Sequence, residues 1–174
     1  KLLEGVPGSR LLLKAKSLSD RSIREYVKEL FQGTGISGDR LELLGWEPSV
    51  RGHLETYHRI DIGLDTFPYH GTTTTCEALW MGVPVVTLAG TTHASRVGVS
   101  LLSNAGLPNM VAHTGDEYVD IAINLAKDTG RLRELRERLR TMMTDSPLTD
   151  AARFTGHLEN YFQAIHESHE GSSS

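Results

Sequence analysis

Short apolar runs alternate with helix-like segments along the first two thirds of the chain, and this alternation restricts the folds open to it. Helices that separate strands are typical of an open parallel α/β sheet flanked by helices. Ligands of such sheets bind beyond the carboxyl ends of the strands. We predict strands at residues 9–16, 41–44, 60–64, 84–88 and 109–112.

The spacing of apolar residues predicts the helices. A helix over 21–31 follows from apolar residues that recur at i, i+3, i+4, i+7 and i+8 after Asp20, a candidate N-cap. The chain is predicted to be helical from about residue 115, and the polar segment 169–174 is expected to be a disordered tail. Shorter helices are predicted at 50–58, 74–81 and 96–104. The last helix has an apolar face made by Phe154, Leu158, Tyr161, Phe162 and Ile165.

Composition excludes several classes of protein. The length of 174 residues fits one domain, and the net charge of −4 argues against a broad nucleic-acid-binding surface. No run approaches the roughly 18 apolar residues of a membrane span. Cys76 is the single cysteine, which excludes an internal disulfide and suggests a reducing, cytoplasmic location. The H-E-x-x-H, P-loop, G-x-G-x-x-G and G-x-S-x-G motifs are all missing from the sequence, and no metal site is predicted.

The densest chemical signal is DTFPYHGTTTTCE, residues 65–77, between the third strand and its helix. Gly71 allows the backbone to approach a ligand closely. A helix that begins here has unpaired N–H groups and a positive partial charge at its start, which suit an anion such as a diphosphate. Glu77, one turn into the helix, can accept hydrogen bonds from a pair of ribose hydroxyls. The residues around the anion would include Thr72, Thr73, Thr74 and Thr75.

The same segment admits a purely structural interpretation. Thr74 and Glu77 have the T-x-x-E spacing of a capping box, in which the glutamate bonds the backbone at the start of the helix. Spacing by itself does not separate this cap from an anion site.

Polar residues also follow the fourth strand, in the loop 90–96. Thr91, Thr92 or Arg96 could contact phosphate or sugar from this position. An ordinary loop between a strand and a helix has the same composition, so the loop is a secondary candidate.

The loops after the first two strands supply further candidates. Glu47 and Pro48 lead to His53, whose ring could stack on a nucleobase, although a lone histidine is more often a packing residue. Lys14, at the end of the first strand, could neutralise phosphate or could simply be solvated.

One contiguous run makes the chain similar to a known family. LDTFPYHGTTTTCEALWMGVPVVTLAG, residues 64–90, resembles the carboxyl-terminal lobe of the O-GlcNAc transferases, especially their SPINDLY branch. The similarity continues in HASRVGVSLL at 93–102, in EYVDIA from Glu117 and in the SPL step at 146–148.

The resemblance implies the donor lobe of a GT-B glycosyltransferase, in which two Rossmann-like lobes face each other across a cleft. Residues 1–168 would be the Rossmann-like lobe that binds a UDP- or GDP-sugar. His53 would stack near the base, and the backbone of Glu47 and Pro48 would meet the base. The family needs no metal or cofactor, since helix amides and a basic side chain stabilise the leaving diphosphate. The positions at the diphosphate and the ribose would be Gly71, Thr72, Thr73, Thr74 and Glu77.

The resemblance also implies a reaction and further protein segments. The intact enzyme would transfer GlcNAc from UDP-GlcNAc to Ser or Thr hydroxyls of a protein, with inversion at the anomeric carbon. The phosphate-binding lysine of the family, its amino-terminal lobe and the tetratricopeptide repeats that gather protein acceptors would all precede Lys1. We therefore expect one lobe of a larger enzyme, which binds nucleotide weakly and transfers nothing by itself.

Departures from the family pattern leave alternatives open. Residues 72–77 are TTTTCE, where the animal O-GlcNAc transferases have HTTGMD. The plant SPINDLY enzymes share TTTTCE and use GDP-fucose, so a protein O-fucosyltransferase is one alternative. A UDP-sugar epimerase of the same architecture is another. The third is a non-enzymatic interaction module that docks through the arginine-rich helix at 131–140.

Overall fold

Five short parallel strands build the centre of the fold. The structure is a computed structural model that describes residues 1–171, with side chains as far as Ser168. Each strand lies within its predicted range. The strands are β1 (Leu11–Lys14), β2 (Leu41–Leu44), β3 (Gly63–Leu64), β4 (Val85–Leu88) and β5 (Val111–Ala112).

The helices lie where apolar spacing predicts them, except for the four-residue α1, which the sequence analysis does not predict. The helix predicted at 50–58 divides into α3 and a 3-10 helix, Thr56–Arg59. The α-helices are α1 (Leu2–Gly5), α2 (Arg21–Gln32), α3 (Val50–Glu55), α4 (Thr73–Trp80), α5 (Val97–Asn104), α6 (Gly115–Lys127), α7 (Thr129–Thr144) and α8 (Ala151–Gly171).

Predicted helix ends are confirmed at two residues. The Asp20 carboxylate accepts a hydrogen bond of 2.7 Å from the N–H of Ser22 and so caps α2. Gly82 follows α4 with a φ of 81°, a conformation that favours glycine. A Cβ atom there would also lie 2.7 Å from the carbonyl oxygen of Arg136, so α7 packs closely over this turn.

The strands form two hydrogen-bonded sheets. β1 pairs with β2, and β4 lies between β3 and β5; every pair is parallel, as the alternation of strands and helices predicts. Within residues 1–171, no backbone hydrogen bond joins β1 to β3. The parallel α/β class is therefore confirmed, with its sheet divided into two.

Apolar burial is concentrated around the β3–β4–β5 sheet. Helices α4, α5, α6 and α7 cover this sheet, and Leu79 and Leu139 are among its fully buried side chains. The β1–β2 side has a buried cluster of only three described residues, Leu3, Ile36 and Leu41. Strand β1 is half-buried along its whole length, and α2 contains no buried residue.

The arginine-rich helix α7 packs through its leucines. Leu135 and Leu139 are buried. Glu134 accepts hydrogen bonds within the helix from Arg131 at 2.8 Å and from Arg138 at 2.7 Å. The leucines of α7 thus face the core, while its charged side chains pair with one another at the surface.

Helix α8 is confirmed, but its apolar face is exposed, with Phe154 67% exposed and Ile165 38% exposed. The helix is described to Gly171, within the segment expected to be a disordered tail, and residues 172–174 of that segment lie outside the described residues. None of the helices in the described part of the chain is long and apolar enough to cross a bilayer.

Candidate functional site

The carboxyl ends of β1, β2 and β3 open into one cavity of about 1390 Å³. This is the edge at which a parallel α/β sheet binds ligands. Thr72 and Thr73 lie beside the cavity at the exposed start of α4. The cavity brings together most of the predicted site residues, namely Lys14, Glu47, Pro48, His53, Gly71, Thr74, Thr75 and Glu77.

The start of α4 presents backbone donors to this cavity. The helical hydrogen-bond ladder begins with the N–H of Cys76, which donates to the carbonyl of Thr72 at 3.1 Å. The N–H groups of Thr73, Thr74 and Thr75 precede the ladder, as the first amides of any helix do. Together with the helix dipole they favour a negative charge at this position.

The side chains at the start of α4 divide into two groups. Those of Thr72, Thr73 and Thr74 are exposed, whereas that of Thr75 is buried. A Cβ atom at Gly71 would collide with the Thr74 hydroxyl oxygen, which explains the glycine by space rather than by its φ angle. Three hydroxyls and three backbone N–H groups are therefore available to a ligand here.

A chain of hydrogen bonds joins α4 to the β1–β2 sheet. Nζ of Lys14 lies 2.6 Å from Nδ1 of His53, and Nε2 of the same ring lies 2.9 Å from Oε2 of Glu77. An ammonium group can only donate, so Nδ1 accepts and Nε2 carries the proton that it donates to the carboxylate. Lys14, only a possible candidate on sequence, is thus held at the site by His53.

Tyr57 extends this network. Its hydroxyl lies 3.3 Å from Oε2 of Glu77 and 3.2 Å from the carbonyl oxygen of Thr74. Burial and the neighbouring carboxylate raise the pKa of Tyr57, so the phenol remains a neutral donor. Sequence reasoning missed Tyr57, because an aromatic residue at helical spacing is ordinarily a packing residue.

The capping-box interpretation of Thr74 and Glu77 is wrong. The N-cap of α4 is Thr72, whose side chain makes no capping hydrogen bond. The Glu77 carboxylate instead faces His53 and is 26% exposed, so it can accept hydrogen bonds from a ligand.

Glu47, in the loop after β2, has a different role from Glu77. The Glu47 carboxylate accepts hydrogen bonds from the N–H of Ser49 at 3.0 Å and from its hydroxyl at 2.9 Å. These bonds hold the pKa of Glu47 below its ordinary value. The side chain is thus used to shape the loop, and the backbone at Glu47 and Pro48 lines the cavity.

Among the described residues that line this cavity, none comes from the loop after β4. The candidates Thr91, Thr92 and Arg96 are therefore outside its lining. Thr92 caps the 3-10 helix His93–Ser95 in a reciprocal capping box with Ser95. Arg96 donates to the Gly90 carbonyl at 3.3 Å. The structure thus favours the ordinary-loop interpretation of this segment.

A buried polar cluster supports the loop in front of α4. Asp65 accepts hydrogen bonds from the N–H of Gly71 at 2.9 Å and from the hydroxyl of Thr87 at 2.7 Å. His70, 2% exposed, accepts from the N–H of Gly98 through Nδ1 at 3.0 Å, and its Nε2 lies 3.0 Å from the carbonyl oxygen of Leu88. Sequence reasoning missed Asp65 and His70, since nothing in a single sequence distinguishes these from other loop residues.

The protonation of His70 follows from its partners. Because Nδ1 accepts from a backbone amide, the ring carries its proton on Nε2 and donates it to a carbonyl. Nδ1 also lies 3.4 Å from Oδ2 of Asp65, a distance that would suit an ion pair. Because Nδ1 carries no proton, His70 and Asp65 do not form an ion pair through these atoms. The Thr87 hydroxyl lies between the two side chains, 2.7 Å from Oδ2 of Asp65 and 3.3 Å from Nδ1 of His70.

The site therefore has two ends with different chemistry. Helix amides and threonine hydroxyls form an end suited to an anion, and Glu77 with His53 forms an end suited to hydroxyl donors and an aromatic ring. No group of three or more His, Cys, Asp or Glu side chains in the described part of the chain could hold a metal ion.

The fold and the cavity define a Rossmann-like α/β lobe with a candidate ligand site at the carboxyl ends of its strands. The chain belongs to glycosyl transferase family 41, because the sequence pattern of that family matches residues 1–158. In fold it is similar to a mutant O-GlcNAc transferase of Thermobaculum terrenum, with a TM-score of 0.92 and 42% identity over 99% of this chain and 33% of that one.

Curated relatives give the same assignment. A probable UDP-N-acetylglucosamine–peptide N-acetylglucosaminyltransferase SPINDLY of Solanum lycopersicum is 46% identical over 165 residues, which are 95% of this chain and 18% of that protein. A UDP-N-acetylglucosamine–peptide N-acetylglucosaminyltransferase of Caenorhabditis elegans is 34% identical over 161 residues, 92% of this chain and 14% of that protein. The chain thus spans less than a fifth of the length of these relatives.

Proposed function

We propose that this chain is the donor-binding lobe of a protein O-glycosyltransferase that uses UDP-GlcNAc. The observation that carries the proposal is the position of Glu77, which faces His53 one turn beyond the exposed start of α4. One helical turn rises about 5.4 Å, a separation that the diphosphate and the ribose of one nucleotide can span. The relatives named for UDP-N-acetylglucosamine support the choice of donor.

The start of α4 would bind the donor diphosphate. During transfer, the oxygen of an acceptor Ser or Thr hydroxyl forms a bond to the anomeric carbon, and the bond from that carbon to the diphosphate oxygen breaks with inversion. The hydroxyl proton passes to the departing diphosphate or to water. Negative charge grows on the diphosphate as it leaves. The N–H groups of Thr73, Thr74 and Thr75 and the Thr72 hydroxyl are preorganised donors that would stabilise this charge.

The network behind Glu77 would hold the nucleoside. The carboxylate has a hydrogen bond from His53 and is still partly exposed, so it can accept from ribose hydroxyls. Lys14 places a positive charge behind the same histidine and would contribute to the attraction of an anionic ligand. The backbone of Glu47 and Pro48 would meet the base.

Binding of nucleotides tests the proposal directly. Titration of the folded chain with UDP, GDP, UDP-GlcNAc and GDP-fucose should give binding by the uridine ligands, unchanged by EDTA. Binding of GDP and GDP-fucose alone would instead assign a SPINDLY-type fucosyltransferase. The proposal would be overturned if none of the four ligands bound. Loss of binding in EDTA would show that the site requires a metal ion, contrary to the binding expected here.

The variant Glu77→Gln tests the role of the carboxylate. It should weaken UDP binding by about tenfold, because hydrogen bonds to a charged group contribute about 1.5 kcal/mol or more. Glu55→Gln is the matched control, since Glu55 is an exposed helical glutamate paired with Arg51. Equal affinities of the two variants would contradict the assignment.

Product analysis separates the reactions that a UDP-sugar site can serve. The longest polypeptide encoded by the gene should transfer labelled GlcNAc from UDP-GlcNAc to a Ser- or Thr-containing protein. Appearance of an epimer or of free sugar, without labelled protein, would favour an epimerase over a transferase.

A further inference from the structure

Three polar side chains from three separate elements meet in the cavity. Lys14 is the last residue of β1, His53 lies in α3, and Glu77 lies in α4. The His53 ring is between the other two, with Nδ1 2.6 Å from Nζ of Lys14 and Nε2 2.9 Å from Oε2 of Glu77. An ammonium group and a carboxylate are therefore joined through one imidazole ring.

Local structure holds each member of this chain of hydrogen bonds in place. Lys14 pairs with Leu44 in the parallel register of β1 and β2. The helix that carries His53 begins at the N-cap Ser49, whose side chain accepts a backbone hydrogen bond of 3.0 Å. The ring of Tyr57 meets the His53 ring edge-on, with 5.7 Å between the two centroids. The plane of the imidazole is thus fixed by its neighbours.

Lys14 selects the form of the His53 ring. Because an ammonium group has protons but no free lone pair, Nδ1 must accept its hydrogen bond. Nε2 then carries the ring proton and donates it to the Glu77 carboxylate. A water molecule in the place of the ammonium group could instead accept a proton from Nδ1, and a neutral ring of that form has no proton on Nε2 to donate.

The two oxygens of the Glu77 carboxylate have different partners. Oε2 accepts both protein hydrogen bonds, from Nε2 of His53 at 2.9 Å and from the hydroxyl of Tyr57 at 3.3 Å. Among the residues whose side chains the structure describes, none donates to Oε1. The Glu77 side chain lines the cavity and is 26% exposed. The protein thus orients the carboxylate through one oxygen and leaves the other for a ligand.

We propose that Lys14 is a positioning residue for the ribose of the nucleotide donor and that it acts through His53. By making Nδ1 an acceptor it makes Nε2 a donor, and the bond from Nε2 orients Glu77 so that Oε1 accepts from the ribose hydroxyls. Lys14 need not touch the nucleotide in this arrangement. The inference rests on the donor-binding function proposed above, and it adds a role for Lys14 beyond the attraction of an anion.

Removal of the ribose hydroxyls from the ligand separates positioning from attraction. UDP and dideoxy-UDP, which lacks both hydroxyls, carry the same diphosphate. The loss of a charge therefore weakens the binding of both ligands, whereas a misplaced Glu77 weakens the binding of UDP alone. In calorimetric titrations, Lys14→Met should lower the affinity for UDP about three- to tenfold more than the affinity for dideoxy-UDP. Equal losses, or no loss, would overturn the proposal.

Lys16 supplies the matched control. It is exposed and lines the same cavity, and among the described residues its side chain makes no hydrogen bond to His53. Lys16→Met should change the affinities for UDP and dideoxy-UDP by the same factor, since it removes only a charge. If the preference for UDP fell as far in Lys16→Met as in Lys14→Met, a nearby charge would be sufficient and the proposal would be wrong.

A double-mutant cycle tests whether the effect of Lys14 passes through Glu77. Once Glu77→Gln has removed the charged acceptor, Lys14→Met should cause no further loss in the preference for UDP over dideoxy-UDP. Independent losses in the double variant would show that Lys14 acts by another route, contrary to the proposal.

The ring nitrogens of His53 test the arrangement without any ligand. At neutral pH, NMR of these nitrogens in the unmodified chain should show Nδ1 without a proton and Nε2 with one. A proton on Nδ1, in the other neutral form or in the imidazolium, would overturn the proposal. Failure of the unmodified chain to bind UDP or GDP would overturn the proposed function instead, and the NMR measurement would still decide whether Lys14 sets the form of the ring. If GDP binds and UDP does not, GDP and dideoxy-GDP replace the uridine pair.

Discussion

The two sheets of this lobe support the candidate site in different ways. The β3–β4–β5 sheet holds the start of α4 through a buried polar cluster above a large apolar core. The β1–β2 sheet has little buried apolar surface and presents Lys14, Glu47 and His53 on half-buried or exposed elements. The end suited to an anion is thus supported by the buried core beneath the start of α4. The end suited to a nucleoside depends on hydrogen bonds near the surface.

Truncation of one leucine on each side should give the largest difference. Leu139→Ala should lower the free energy of unfolding by about 2–5 kcal/mol, because Leu139 is fully buried. Leu12→Ala should cost about 1 kcal/mol or less in the 174-residue chain, since this side chain remains half-exposed. Urea unfolding measures both values, and equal costs would show that the two sheets are equally packed.

Removal of the buried histidine should have the next largest effect. His70→Ala leaves the N–H of Gly98 and the carbonyl of Leu88 without their partner, and should lower the free energy of unfolding by about 2–4 kcal/mol. His93→Ala, at an exposed position of the 3-10 helix His93–Ser95, should change it by about 0.5 kcal/mol or less. A similar small effect at both positions would mean that the cluster does not stabilise the loop before α4.

A smaller effect is expected from Tyr57→Phe, which removes the hydroxyl beside Glu77. The loss of one hydrogen bond should lower the free energy of unfolding by about 1 kcal/mol. Tyr69→Phe is the control because Tyr69 is 75% exposed. If the two variants have the same stability, the Tyr57 hydroxyl does not support the carboxylate.

The smallest effect concerns the titration of Glu47. Ser49→Ala removes the hydroxyl donor and should raise the pKa of Glu47 toward its ordinary value, as measured by NMR. A depressed folded pKa stabilises the protein above the unfolded pKa, and this contribution is lost as the pH falls through the folded value. The variant should therefore lose less stability on acidification. An unchanged pKa would show that the hydroxyl contributes nothing.

Local patterns predicted the elements of the fold well. The helix at 21–32, with its N-cap at Asp20, follows from spacing and capping chemistry, which act within a few residues. The strand at 60–64 is observed only at Gly63–Leu64, where β4 supplies its partner. Strand length therefore depended on a neighbour that is distant in the sequence.

The candidate site was predictable in part. The loop before α4 is recognisable from Gly71 and the threonines that follow it. His53 and Lys14 were ambiguous, because a histidine and a lysine on separate elements show no pairing in sequence. The tertiary structure brings them within 2.6 Å of each other and turns Glu77 toward the ring rather than toward its own helix start.

The sequence by itself determined the α/β class, the order of the elements and the position of the threonine-rich loop at the start of α4. These depend on periodicity and on the chemistry of residues close together in the chain. Only the tertiary structure decided that the buried side chains of Asp65 and His70 hold that loop in place. It also decided that the strands form two separate sheets, β1–β2 and β3–β4–β5. Both depend on which backbone groups find partners across more than 15 residues of chain, and no local pattern records that pairing.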